Sequence, residues 1–205
     1  AKNNELLALI GDRKLGHSDL IKAVSETKAV AEKIIKTRQA LSEQMLSKLG
    51  TQAKASADKG DMAKALKIYD EALSFARTVE SKGPAFIAIT SKITKARNAI
   101  SERIAQEREA NAHLNQADEH LKKKRYEDTI VSCKKALAIK PDLSMAYLHM
   151  GTAYNMLEKY ADAIAALKQV ISLKPDSAEA YYNMGNALQE QGKLEEAIEA
   201  YNKSV

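Results

Sequence analysis

Apolar residues recur in steps of three and four along most of this chain, and no stretch alternates apolar with polar residues between turn clusters. The first spacing lines one face of an α-helix, whereas alternation would mark a half-buried strand, so an all-α protein is predicted. After Ser18 or Asp19, either of which can cap a helix, Val24, Ile34, Ile35, Leu41 and Met45 follow at helical intervals. A second run, from Ala85 to about Lys122, carries Phe86, Ile89, Ile93, Ala96, Ile100, Ile104, Leu114 and Leu121 with no turn signal after SKGP. It predicts a single helix about 55 Å long at 1.5 Å per residue. The two long helices are expected to form an antiparallel bundle with the segment between them, so that residues 1–109 make an N-terminal helical region.

From Ala110 onward the pattern itself repeats. ANAHLNQADEHLKKKRYEDTIVSCKKALAIKPDL, SMAYLHMGTAYNMLEKYADAIAALKQVISLKPDS and AEAYYNMGNALQEQGKLEEAIEAYNKSV begin at Ala110, Ser144 and Ala178, 34 residues apart. Small residues dominate three positions of the period: Ala117, Gly151 and Gly185 at the eighth, Thr129, Ala163 and Ala197 at the twentieth, Ala136, Val170 and Ser204 at the twenty-seventh. Such residues let two antiparallel helices approach. His113, Tyr147 and Tyr181 at the fourth position, and Cys133, Leu167 and Tyr201 at the twenty-fourth, are expected to fill the space around them. Pro141 and Pro175 then stop the second helix of their units, because proline cannot continue the hydrogen-bond ladder.

These three units resemble the tetratricopeptide repeat family, and the last is similar to the repeats of the O-linked N-acetylglucosamine transferase superhelix. The resemblance implies a right-handed superhelical α–α solenoid over 110–143, 144–177 and a truncated 178–205. The first unit departs from the family pattern at His113, Gln116, Ala117 and His120. GDMAKALKIYDEALSF aligns with the last unit through Gly60, Met62, Ala65, Tyr69 and Ala72, which extrapolates to a degenerate repeat at 46–79 with Arg77 in place of the proline. Val205 falls at the twenty-eighth position, inside the expected second helix, so the chain is expected to be part of a longer protein. Leu194, Ile198 and Val205 would then lack a neighbour, and self-association into a homo-oligomer is expected.

Charge adds little to this picture. The net charge of +5 is concentrated in the N-terminal half, but basic residues mostly alternate with acids along the helices, and the run Lys122 to Arg125 sits at an expected turn. A nucleic-acid partner would need clustered cations, so the pattern speaks against one, and RNA binding through the basic half ranks third among functions. The single cysteine excludes an intrachain disulfide framework. No apolar run approaches the roughly 20 residues of a membrane span, the residues given show no signal-peptide pattern, and a cytoplasmic setting is the expectation.

Candidate chemistry is sparse. His113, His120 and Cys133 are the right types for zinc, yet they stand where the other units place packing residues, so packing is the expected role. No phosphate loop, metal-spaced motif or nucleophile elbow is present, so no enzyme activity and no cofactor or metal are expected. His17 is expected in a loop beside Gly16.

What the resemblance implies is binding, through a concave groove lined by the first helix of each unit. The matching positions supply Asn115 and Asp118, then His149, Thr152 and Asn155, then Tyr182, Asn183, Asn186 and Gln189. Asn111, Lys122, Met145, Met156, Glu179 and Glu190 stand beside them. Amides both donate and accept, which suits the backbone of an extended peptide. The lysine and arginine clamp by which related co-chaperones hold acidic C-termini is absent in this register, where Leu114, Asp118, His149, Glu179 and Asn183 stand instead. The expected function is therefore a non-catalytic scaffold that binds another protein, as an extended peptide or partner helix. The alternative is the substrate-selecting region of a larger enzyme such as a glycosyltransferase. Asn183 and Asn186 are expected to serve a ligand and to contribute little to folding.

Overall fold

The structure, a computed structural model, describes residues 17–80 and 82–205, and the regular structure among them is entirely α-helical. Among the described residues eight helices follow in order: α1 His17–Asp58, α2 Met62–Thr78, α3 Pro84–Lys122, α4 Tyr126–Ile139, α5 Ser144–Met156, α6 Tyr160–Leu173, α7 Ala178–Glu190 and α8 Leu194–Asn202. They divide between two compact units, Ala1–Ser101 and Glu102–Val205, with the boundary inside α3.

Four of the connections share one turn. Gly60, Lys124, Glu158 and Gly192 all have positive φ, at 84°, 56°, 59° and 75°. The next residue in each case, Asp61, Arg125, Lys159 or Lys193, donates its N–H to the carbonyl five residues back, at 2.8 to 3.0 Å. This left-handed cap satisfies carbonyls that the ending helix leaves open and reverses the chain into the following helix. The four residues occupy the fifteenth position of the period, so α1 and α2 close on each other with the same backbone device as the later helix pairs.

In the second unit, helix pairs α5–α6 and α7–α8 approach through their glycines. A Cβ on Gly151 would lie 2.6 Å from the Leu167 side chain, and one on Gly185 would lie 2.6 Å from the Tyr201 ring. The α3–α4 pair uses Ala117 instead, opposite the smaller Cys133, and both are fully buried. Ala163 and Ala197 are buried at the twentieth position, as is Thr129, whose hydroxyl donates to the Arg125 carbonyl at 3.0 Å. Leu148, Leu167 and Val170 of α5–α6 form one buried cluster with Ala180 of α7, and Leu188, Ala197 and Ala200 within α7–α8 form another, against which Ile164 of α6 packs, so each pair buries part of the next. Helix α8 ends at Asn202, short of the helical position expected for Val205; the Lys203 N–H reaches both Glu199 and Ala200 carbonyls and tightens the last turn.

The core of the first unit gathers Leu46 and Ala53 from α1, Tyr69, Ala72 and Ala76 from α2, and Phe86 and Ile93 from α3. What is corrected is which residues of α1 face this core. Val24, Ile34, Ile35, Leu41 and Met45 are exposed, between 49% and 61%, and so are Ile21 and Val30. Two reasons apply: α1 has 42 residues and α2 only 17, so α2 folds back along α1 no further than Ile35 and Arg38, beside which Val79 lies, and stops short of Ile21, Val24, Val30 and Ile34; Leu41 and Met45 lie within the paired stretch but off the face that carries Ser42, Leu46 and Ala53. His17, expected in a loop, is the first residue of α1.

Candidate functional site

The first helices of the repeats, the end of α3 with α5 and α7, carry every residue expected in the groove. α5 lies directly against α7. At the α3 end, Asn115 is exposed and Asp118 accepts a charge-paired hydrogen bond from Lys122 one turn on, which holds the Asp118 carboxyl below its usual range. His149 on α5 is half-buried, and burial lowers its pKa, against the opposing pull of the Asp118 and Glu179 carboxylates. Those two charges place His149 electrostatically between α3 and α7.

Further along, the structure joins three of the expected residues to one another. Asn155 Nδ2 donates to the Asn183 carbonyl at 2.9 Å, Asn183 Nδ2 lies 3.4 Å from Thr152 Oγ1, and Thr152 donates to the Leu148 carbonyl at 3.0 Å. The network ties α5 to α7. Asn155 Oδ1 is buried with no hydrogen-bond partner among the described residues.

A second group forms around Tyr201 of α8. Its hydroxyl donates to Asn186 Oδ1 at 2.8 Å and reaches Gln189 Oε1 at 3.2 Å, while its ring lies tilted against Tyr182 with centroids 6.0 Å apart. Burial first, then the neighbouring Tyr182 and Glu190, raise the Tyr201 pKa and keep the hydroxyl a donor. Tyr182 itself remains 54% exposed.

These contacts correct one expectation: Asn183 and Asn186 are engaged within the repeats and contribute to their packing. Sequence reasoning assigned Tyr201 to packing alone and missed its polar role. The signal was present, because among the three units from Ala110 onward the twenty-fourth position holds Cys133, Leu167 and Tyr201, and only Tyr201 brings a hydroxyl. Asn115, Tyr182 and Gln189 are the expected residues that stay exposed.

The donor set weighed for zinc is dispersed in role. Cys133 is fully buried and burial pushes its thiol up to about 12, so it does not supply a thiolate at neutral pH. His113 pairs with Gln116 at 3.3 Å, and His120 Nδ1 accepts from Arg125 Nε at 3.1 Å. Among the described residues no group of three or more histidine, cysteine or acidic side chains could hold a metal ion, and no helix is long and apolar enough to cross a membrane.

Comparison with known proteins adds a family match: residues 151–192 match the TPR repeat family. No curated protein matches the chain. Among solved structures, the second TPR of Spaghetti (RPAP3) bound to the HSP90 peptide SRMEEVD is similar, at 24% identity over 49% of this chain and 94% of that one, with a TM-score of 0.47. The O-GlcNAc transferase of Thermobaculum terrenum is similar at 26% identity, over 48% of this chain and 19% of that one, with a TM-score of 0.47. A crystal structure of MamA protein reaches further, over 80% of this chain and 90% of that one, at 19% identity and a TM-score of 0.46.

Proposed function

On the premise that this chain carries tetratricopeptide repeats, we propose that it is a non-catalytic interaction scaffold whose first-helix face holds an extended segment of another protein. The observation that carries this reading is that Asn115, His149 and Tyr182, at the sixth, sixth and fifth positions of successive first helices, are each exposed or half-exposed. Asn115 offers an amide that donates and accepts, the His149 ring does both when neutral, and Tyr182 offers an aromatic face with a hydroxyl. A peptide backbone presents the complementary groups at every residue. Exposed Met145 and Met156, on the same helix as His149, add adaptable apolar surface. The residues standing where a carboxylate clamp would need cations are Leu114, Glu179 and Asn183, so a ligand with an acidic C-terminus, such as the peptide held by Spaghetti, is not carried over.

A peptide array of linear 12-residue sequences, probed with the full chain, tests the reading. Selected peptides should bind at least about tenfold more weakly to Asn115→Ala or Tyr182→Ala, with the melting temperature held, because each removes a ligand contact. Undiminished binding to both variants would move the interaction off this face.

A further inference from the structure

Within the first unit, an open groove of about 640 Å³ runs between the last turns of α2 and the first turns of α3. Its floor is apolar, built from Leu73 and Ala76 on one side and Phe86 and Ile87 on the other, and Ile87 is 58% exposed. Thr90 and Thr94 also line it, but their hydroxyls donate to the Phe86 and Thr90 carbonyls of their own helix, at 2.8 and 2.9 Å, and are thereby already satisfied.

Every charged residue lining the groove is a cation. Arg77, Lys82 and Lys95 stand around it, and among the described residues none of them enters an ion pair. Their unpaired state is not general to these helices: Arg97, further along α3, donates to Asp70 of α2 at 3.0 Å. An apolar floor ringed by uncompensated positive charge is complementary to an apolar surface ringed by negative charge.

We propose that this groove docks an acidic, amphipathic helical segment of a partner protein. Its apolar residues would rest on Phe86 and Ile87 while its carboxylates face Arg77, Lys82 and Lys95. The distribution of cations selects this occupant. Lys82 precedes α3 and Lys95 lies about three turns into it, so positive charge stands at both ends of the floor. A fatty carboxylate has one anionic end and answers only half of that arrangement. A nucleic acid would leave the apolar floor without a partner. From Phe86 to Lys95 the helix rises about 14 Å, enough for two to three turns of a docked helix with anchors at i, i+3 or i+4, and i+7.

The full chain is titrated by fluorescence anisotropy with a labelled synthetic helix of about 18 residues, leucines at i, i+3, i+4 and i+7 and glutamates on both flanks. A second peptide carries lysine for every glutamate, and dodecanoate serves as a competitor. The acidic peptide should bind, and binding should weaken at least tenfold with Ile87→Asp. The combined Arg77→Glu, Lys82→Glu and Lys95→Glu variant should lose the acidic peptide and gain the basic one. Raising salt should weaken the acidic complex, since exposed charges are screened. Tyr182→Ala should leave it unchanged, which separates this groove from the repeat face. Circular dichroism of each variant confirms its fold. Equal affinity for both peptides, indifference to charge reversal, full displacement by equimolar dodecanoate, or loss with Tyr182→Ala would each overturn the proposal.

Discussion

At the scale of single residues, Tyr201 shows how one hydroxyl changes what a packing position does. The ring fills the space that Gly185 leaves open, and the hydroxyl at its tip holds Asn186 and reaches Gln189. Tyr201→Phe keeps the ring and removes the donor, so it should cost about 0.5–1.5 kcal/mol. Urea unfolding of Tyr201→Phe, Asn186→Ala and the double variant should show the two losses to be coupled rather than additive, because they share one bond. His149 supplies a second residue-scale test. Burial depresses its folded pKa below the ordinary value of about 6.5, so the folded state binds fewer protons than the unfolded one in that range. Its contribution is therefore fully present above about pH 6.5 and is lost as pH falls toward the depressed value. Thermal melts between pH 8 and 5 should decline more steeply for the native chain than for His149→Gln. Parallel curves would mean that Asp118 and Glu179 offset the burial completely.

At the scale of elements, the repeating turn decides where helices reverse, and it is not filled equally well. Gly60 and Gly192 adopt positive φ without a steric penalty, whereas Lys124 and Glu158 bring a Cβ into a conformation that costs an L-residue about 1–2 kcal/mol. Lys124→Gly and Glu158→Gly should therefore each raise stability, by about 0.5–1 kcal/mol once the greater freedom of glycine in the unfolded chain is subtracted. A rise in the urea midpoint with an unchanged slope is the expected signature. Helix pairing follows a similar matching of sizes. Glycine faces Leu167 or Tyr201 and alanine faces Cys133, so the eighth and twenty-fourth positions work as a pair, which a single position read alone does not reveal.

At the scale of the whole molecule, the two units bury their apolar residues by different means. The repeats cover each pair with the next, whereas the first unit has one cluster centred on Leu46, Tyr69, Phe86 and Ile93 and leaves the first half of α1 with its apolar residues exposed. Ile93 is 4% exposed and Ile34 is 61% exposed. Ile93→Ala should thus cost about 2–5 kcal/mol, in the range for core truncations, while Ile34→Ala should stay within about 0.5 kcal/mol. Comparable losses at both would mean that Ile34 is covered in solution.

What the amino-acid sequence determined by itself was whatever is local or repeats: the all-α class, the 34-residue period, and the small residues where helices meet. Helical spacing and turn chemistry act between neighbours in the chain, so they can be read along it. The tertiary structure decided the rest. Val24, Ile34 and Leu41 follow at helical spacing as buried Ile93 does, yet α2 stops short of Val24 and Ile34, and Leu41 stands off the face of α1 that meets α2. Asn115 and Asn183 hold the same repeat position, yet one is exposed and the other reaches across to Thr152. Whether an amide faces a ligand or a neighbouring helix depends on what folding brings within about 3 Å of it, and that distance is set by the packing of whole helices.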